Sequence, residues 1–170
     1  MWPFKGWRER AAVRAALEKY LAPALVRRLS SQPDELRLET QRADICFILL
    51  QVRDDPVDQV SAHMTHAFDI ILRRNGTICD IMSSMVLAIF GHPISEEPEK
   101  SSDQCAKSVA RLITELGVNI RLVHGTAAGL VGNYGAPDRF HWGPLLPGFA
   151  QYVTALMALE FGQSAEVRST

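Results

Sequence analysis

The chain has 170 residues, of which 47 % are apolar and 22 % are charged. This length suits one globular domain with a sizeable core, and the composition excludes disordered, collagen-like and coiled-coil proteins. Lys and Arg together number 18, Asp and Glu 19, and the formal net charge is -1. A charge so close to balance argues against a nucleic-acid-binding domain, which would need many cations to contact phosphates.

The beginning of the chain is its basic part, because the first 28 residues contain seven Lys or Arg and only two Glu. Apolar residues at near-helical spacing over residues 10–29 predict two short helices or one helix kinked at Pro23. A Ser-Ser-Gln-Pro-Asp segment with helix breakers follows. We therefore expect a basic helical arm over residues 1–34 and the main domain over residues 35–170.

Three aromatic residues of this arm, Trp2, Phe4 and Trp7, stand among basic side chains. Aromatic and basic side chains together suit an anionic membrane surface, so one interpretation is that the arm contacts the membrane. The other interpretation is that these side chains pack on the domain or on a second protomer. The sequence favours neither.

Cysteine usage and targeting signals bear on the compartment. Cys46, Cys79 and Cys105 show no zinc-binding spacing, and their apolar surroundings predict reduced, buried thiols. No apolar run approaches the roughly 20 residues that span a bilayer, and the first residues lack the apolar segment of a secretory signal. We therefore expect a cytoplasmic protein, with the arm at the inner membrane face as the alternative location.

The first half of the main domain is predicted to contain a strand, a helix and a β-hairpin, in this order. Residues 43–52 are nearly all apolar and predict a strand buried on both faces. Asp55, followed by a Pro, predicts the N-cap of a helix that an Asn-Gly pair ends. Residues 77–82 and 85–90 then predict a hairpin closed by two serines.

The second half continues the pattern. Residues 100–116 predict a helix, residues 120–124 and 128–134 predict a strand pair around Gly125, and residues 148–161 predict a last helix. This order of elements predicts an α+β fold, a ferredoxin-like sandwich with a central, mostly antiparallel sheet flanked by helices.

Four short motifs stand in the same order as these elements: Tyr-Leu-Ala-Pro-Ala-Leu-Val-Arg-Arg-Leu at residues 20–29, Asn-Gly-Thr at 75–77, Val-Leu-Ala-Ile-Phe-Gly-His-Pro at 86–93 and Val-Gly-Asn-Tyr-Gly at 131–135. Together they resemble the catalytic domain of class III adenylate and guanylate cyclases. The resemblance extends over residues 20–162. Enzymes of this family form a cyclic nucleotide by attack of a ribose 3′-hydroxyl on the α-phosphorus, with two metal ions at the phosphates.

The resemblance implies which positions would bind the metals and the base. Leu49 stands where the family has its first metal-binding Asp, and Ser84 stands where it has the second. Asp80 stands where the family has its purine-selecting Lys. Neither a Leu nor a neutral Ser replaces a carboxylate as a ligand for a divalent cation.

The resemblance also places a transition-state Asn and Arg on the last helix. In two registers that differ by one residue, Phe149 or Ala150 stands at the Asn position, and Val153 or Thr154 at the Arg position. None of these side chains supplies the amide donor or the cation that would stabilise an anionic transition state.

The resemblance therefore implies a cyclase-like domain without cyclase activity and without a cofactor. We expect it to act as a regulatory or dimerisation module in intracellular signalling of the bacterial type. One alternative is a nucleotide-binding or partner-activated cyclase subunit. A second alternative is a membrane-recruited scaffold.

Dimerisation is expected because the vacated catalytic face, which would include Leu49, would be an open apolar patch, and such a patch calls for a partner. The partner would be a second copy or another cyclase-type domain, with an interface in the segment 142–157. The residues proposed for this interface are Leu145, Leu146, Phe149 and Tyr152.

The remaining candidates favour structural roles. His63 and His66 could chelate a metal together with Asp69, but a solvated helix face explains them better. His92, His124 and His141 have no adjacent nucleophile or paired carboxylate, which indicates structural or surface roles. The cluster of three carboxylates at Asp54, Asp55 and Asp58 is better explained by helix capping than by metal binding.

Overall fold

The computed structural model describes residues 11, 14–15, 18–19, 21–31, 40–93, 97–134 and 142–168. The helices are α1 (Pro23–Ser31), α2 (Val57–Arg73), α3 (Pro98–Leu116) and α4 (Phe149–Met157), and a 3-10 turn (Gly117–Asn119) follows α3. The strands are β1 (Gln41–Val52), β2 (Gly76–Met82), β3 (Met85–Phe90), β4 (Ile120–Asn133), β5 (Trp142–Leu145) and β6 (Ser164–Arg168).

The strands form one six-stranded sheet in the order β2-β3-β1-β4-β5, and β6 pairs with β4 beside β5. All pairs are antiparallel except β4 with β6, which are parallel. The predicted α+β class with a mostly antiparallel sheet and flanking helices is therefore confirmed.

Strand β1 lies in the middle of the sheet and is covered on both faces. Successive side chains of a strand point to opposite faces, so β1 contributes to two separate cores. One core packs Cys46, Ile48 and Leu50 against α2 and α3. The other packs Ile45, Phe47 and Leu49 against α4. The prediction of a strand buried on both faces is confirmed.

Turn chemistry was predicted well in the first half of the domain. Helix α2 ends at Arg73, and Asn75 follows in the left-handed conformation with φ of 60°. The β2–β3 turn is also formed as predicted, with Ser83 at φ 57°. The N-cap prediction was wrong, because α2 begins at Val57 after Pro56, with no capping bond from a side chain.

The prediction of two strands joined by a turn around Gly125 was wrong. Residues 120–133 form the single strand β4, which pairs with β1 without interruption from Ile120 to Val131. Gly125 is not a turn residue. A Cβ at Gly125 would collide with the backbone carbonyl oxygen of Val167 in β6, so the glycine allows close approach of two strands.

The end of the chain also differs from prediction. The last helix is shorter than the predicted range 148–161, because Gly148, with φ of 68°, precedes its first residue and it ends at Met157. Strands β5 and β6 were not predicted. Each is only four or five residues long, and segments this short carry little periodicity.

The end of the predicted arm packs on the domain. Helix α1 begins at Pro23, as one of the two interpretations of this segment predicted. Leu21 extends the sheet through an isolated bridge with Thr77 of β2. Ala22 and Val26 are buried, with 1 % and 0 % of their surfaces exposed. Residues 32–34 of the segment with helix breakers lie outside the described residues.

The close approach at Gly125 generates a prediction. Gly125→Ala should lower the free energy of unfolding by about 1–3 kcal/mol, because the new methyl group forces β6 away from β4. Urea denaturation measures this change. Ala128→Ser, at an exposed position of the same strand, is the control and should leave stability nearly unchanged. Equal stability of the two variants would show that β6 can shift freely.

Candidate functional site

Leu49, at the position implied for the first metal ligand, lies in the second core. It pairs with Leu87 of β3 on one side and with Val123 of β4 on the other. Its exposed fraction is 0 %, and Tyr152 and Leu156 of α4 belong to the same cluster. The surroundings of this side chain are therefore apolar and closed within the chain.

Ser84, at the position implied for the second metal ligand, lies in the turn between β2 and β3 and is buried. Its hydroxyl oxygen accepts a hydrogen bond from the Gln51 side-chain amide at 3.1 Å. Its carbonyl oxygen accepts one from the Val52 N–H at 2.9 Å. The turn is thus tied to the end of β1 through both side-chain and main-chain atoms.

Asp80, at the position implied for the purine-selecting Lys, is exposed on the edge strand β2. It lies opposite Leu87, which itself lies opposite Leu49, so the structure places these positions in one row across three strands. The Asp80 carboxylate accepts the neighbouring Ile81 N–H at 2.8 Å. Together with burial, the larger cause, it raises the pKa of the Cys79 thiol.

Helix α4 carries the positions implied for the transition-state side chains, and its sequence, Phe-Ala-Gln-Tyr-Val-Thr-Ala-Leu-Met, has no charged residue. Ala150 and Thr154 are exposed, and the Thr154 hydroxyl donates to the Ala150 carbonyl at 2.9 Å. Phe149 and Val153 are half-buried against the second core. The exposed residues of α4 are therefore all uncharged: Ala150, Gln151, Thr154 and Met157.

The apolar face expected at this place is largely closed by the chain itself. Leu146 and Tyr152 are 7 % and 4 % exposed, and the Tyr152 ring lies 4.8 Å from that of Phe47. Leu145, at 46 % exposed, is the member of the predicted interface that remains most accessible, beside the half-buried Phe149. The expectation that Leu49 belongs to an open patch was wrong, because α4 covers it.

A groove of about 810 Å³ lies at the other end of β1. Its volume is in the range of small-molecule sites. Arg42 and Asp44 provide its charged groups, and both side chains are exposed. Leu145 forms part of its wall. The other residues that line it are Ala43, Ala128, Gly129, Leu130, Leu146 and Pro147.

A polar network at the end of the sheet near Ser84 was missed by the sequence analysis. The Gln51 side-chain oxygen accepts hydrogen bonds from Nε and Nη2 of Arg121, at 2.9 and 2.7 Å. The only sequence signal for it is a polar residue near the end of an apolar strand. Arg121 stands 70 positions away in the chain, and only strand pairing places it opposite Gln51.

Four of the five histidines lie in the described part of the chain. His63 is half-buried and His66 is exposed on α2, and the part of the chain that the structure describes contains no group of three or more potential metal ligands. Burial lowers the pKa of His92 and of His124, although Glu166 partly opposes the shift at His124. His141 lies outside the described residues.

The cysteines are free, as predicted; Cys46 and Cys105 are buried and Cys79 is half-buried. Burial raises the pKa of the Cys105 thiol to about 12. Trp2, Phe4 and Trp7 lie outside the described residues. Among the helices that the structure describes, none is long and apolar enough to cross a membrane.

Comparison with solved structures identifies the fold. The adenylyl cyclase CyaB from P. aeruginosa superposes with a TM-score of 0.66 and 19 % identity over 76 % of this chain and 79 % of that chain. The guanylyl cyclase Cya2 superposes with a TM-score of 0.56 and 18 % identity over 74 % of this chain and 75 % of its own. The chain has the fold of nucleotide cyclase domains.

A third similar structure is the non-canonical dimeric guanylyl cyclase domain of the RhoGC fusion protein from Blastocladiella emersonii. Its TM-score is 0.61 and its identity 11 %, over 76 % of this chain and 82 % of that chain. No family model and no curated protein matches the sequence. At these identities the comparisons establish the cyclase fold, which the motif resemblance predicted.

The buried histidine generates a prediction for pH dependence. Because the pKa of His92 is lowered below its usual 6.5, the unfolded chain binds a proton on this residue before the folded chain does. Stability should therefore fall as pH falls below about 6.5. His92→Asn should flatten this dependence, measured as urea midpoints at several pH values. His124→Asn is the comparison, since His124 shifts in the same direction with partial opposition from Glu166. An unchanged slope in His92→Asn would contradict the assignment.

Proposed function

We propose that the chain is a catalytically inactive nucleotide-cyclase-like domain that acts as a regulatory or dimerisation module in intracellular signalling. The observation that carries this proposal is the burial of Leu49 in an apolar core, at the position where the resemblance implies a metal-binding carboxylate. An ionised carboxylate in such surroundings would be strongly destabilising without a partner. The packing around position 49 therefore favours an apolar side chain such as leucine over a carboxylate.

The other implied site positions support the same proposal. The Ser84 hydroxyl is engaged by Gln51 and offers no negative charge for a divalent cation. The exposed face of α4, with Ala150 and Thr154, offers no cation to a phosphate. Both halves of the catalytic set that the resemblance implies are thus replaced by neutral groups on one chain, which argues against complementation by a second copy.

This proposal includes a cytoplasmic location, which the three free cysteines support. It includes no nucleic acid partner, because the charge of the whole chain is close to balance. Contact of the basic arm with the inner membrane face stays a prediction.

The test of inactivity is direct. The purified protein should form neither cyclic AMP nor cyclic GMP from ATP or GTP with Mg2+ or Mn2+, measured by chromatography beside an active cyclase domain. The double variant Leu49→Asp, Ser84→Asp should also remain inactive, and it should lose stability because the first substitution places a carboxylate in the core. Product formation by the wild type that disappears in Asp80→Asn or Ser84→Ala would refute the proposal.

Dimerisation is the second part of the proposal, and Leu145 is its main support. This side chain is 46 % exposed at the end of β5, next to the groove that contains Arg42 and Asp44. An apolar side chain beside charged groups is typical of an interface where an apolar centre has a polar rim. Solved guanylyl cyclase domains of this fold are described both as dimeric and as monomeric.

Two matched variants test this interface. Leu145→Asp should shift the protein toward the monomer in analytical ultracentrifugation, because it places a charge in the apolar centre of the contact. Val57→Asp replaces an apolar residue that is 80 % exposed at the start of α2, and it should leave the assembly unchanged. A wild-type protein that is monomeric at tens of micromolar, or equal effects of both variants, would exclude this surface as the interface.

A further inference from the structure

The network around Arg121 joins parts of the chain that are distant in sequence. Gln51 of β1 donates to the Ser84 hydroxyl in the β2–β3 turn and accepts two hydrogen bonds from Arg121 of β4. Arg121 Nη1 in turn donates to the Leu159 carbonyl at 2.9 Å and to the Met157 carbonyl at 3.2 Å, at the C-terminal end of α4. One guanidinium thus connects the turn, two strands and the last helix.

The groups that hydrogen-bond or stack on the guanidinium are neutral. Nη2 lies 3.2 Å from the Met157 sulfur, and the carbon of the guanidinium lies 4.9 Å from the centre of the Phe161 ring. Arg53 contacts the same ring at 4.6 Å. Among the described residues, no carboxylate lies within ion-pair distance of Arg121. Amide and carbonyl oxygens and the ring face therefore compensate its charge, as in cation binding by helix C-termini and aromatic rings.

We propose that Arg121 is a built-in cation that couples the β2–β3 turn to the C-terminal end of α4. This inference rests on the proposed function, in which Ser84 stands at a position that has lost its metal-binding carboxylate. The positive charge that Gln51 links to this turn then belongs to the chain itself and is permanent. Arg121 is a positioning residue: it acts on the turn through Gln51 and on α4 through two carbonyl oxygens.

The coupling has a consequence for a regulatory module. The exposed face of α4, with Ala150 and Thr154, is available to a partner, and the turn lies on the far side of the Arg121 network. Arg121 hydrogen-bonds directly to the end of α4 and, through Gln51, to the β2–β3 turn. A displacement of α4 should therefore also displace the turn. A helix cap alone would stabilise α4 and leave the turn unaffected, so the two roles differ in what they predict for the turn.

Amide hydrogen exchange of the full chain distinguishes the two roles. In Arg121→Met, which keeps an unbranched apolar stem and removes the guanidinium with its charge, exchange should accelerate by about tenfold or more in both the β2–β3 turn and the end of α4. Arg111→Met, which removes an exposed arginine paired with Glu115 on α3, is the control and should change neither segment. If amide exchange accelerates at the end of α4 and stays unchanged in the β2–β3 turn, Arg121 is only a helix cap and the proposal is overturned.

Ser84→Ala covers the case in which Arg121→Met does not fold, and chemical rescue of Arg121→Ala covers the case in which loss of the guanidinium only lowers stability. Ser84→Ala removes the last link only, so exchange should accelerate at the turn and stay unchanged at α4. In Arg121→Ala, added guanidinium ion at millimolar concentration, far below denaturing levels, should restore part of the lost thermal stability, whereas the same concentration of Na+ should not. Equal effects of the two ions would contradict a specific cation position. Because cyclase product is not the readout, failure here is distinguishable from failure of the proposed inactivity.

Discussion

Strand β1 is covered by side chains on both faces, and the rest of the structure depends on this burial. Residues 45–50 are buried without interruption, and they divide between a core under α2 and α3 and a core under α4. Apolar burial of this kind is the main favourable term in folding. It leaves no room in the middle of the strand for an unpaired charge, and position 49 is in that middle.

The polar chemistry is consequently found at the two ends of β1. At one end, Gln51 joins Ser84 and Arg121 in a network in which every named side chain has a hydrogen-bond partner. At the other end, Arg42 and Asp44 face a groove and are exposed. The first end is suited to hold parts of the chain together, because its side chains hydrogen-bond to one another. The second is suited to an external contact, because its charged groups are accessible.

The cyclase fold itself is compatible with the proposed role of the chain. A fold specifies the placement of the strands and helices, whereas an activity depends on a few side chains grafted on it. Here the fold is that of cyclase domains, as the superpositions on CyaB and Cya2 show. The side chains at the positions that the motif resemblance implies for metal binding are a core leucine and a turn serine, and neither brings a charge.

The sequence by itself determined the elements whose signals are local. The apolar run of β1, the helical stripe of α2 and the two-serine turn were predictable because side-chain period and turn preference act over a few residues. Only the tertiary structure decided that residues 120–133 form one strand and that β6 lies against Gly125. It also decided that Arg121 meets Gln51 across 70 positions. Strand pairing and side-chain hydrogen bonds between distant segments leave no periodic trace in a single sequence, since they depend on which elements become neighbours when the core closes.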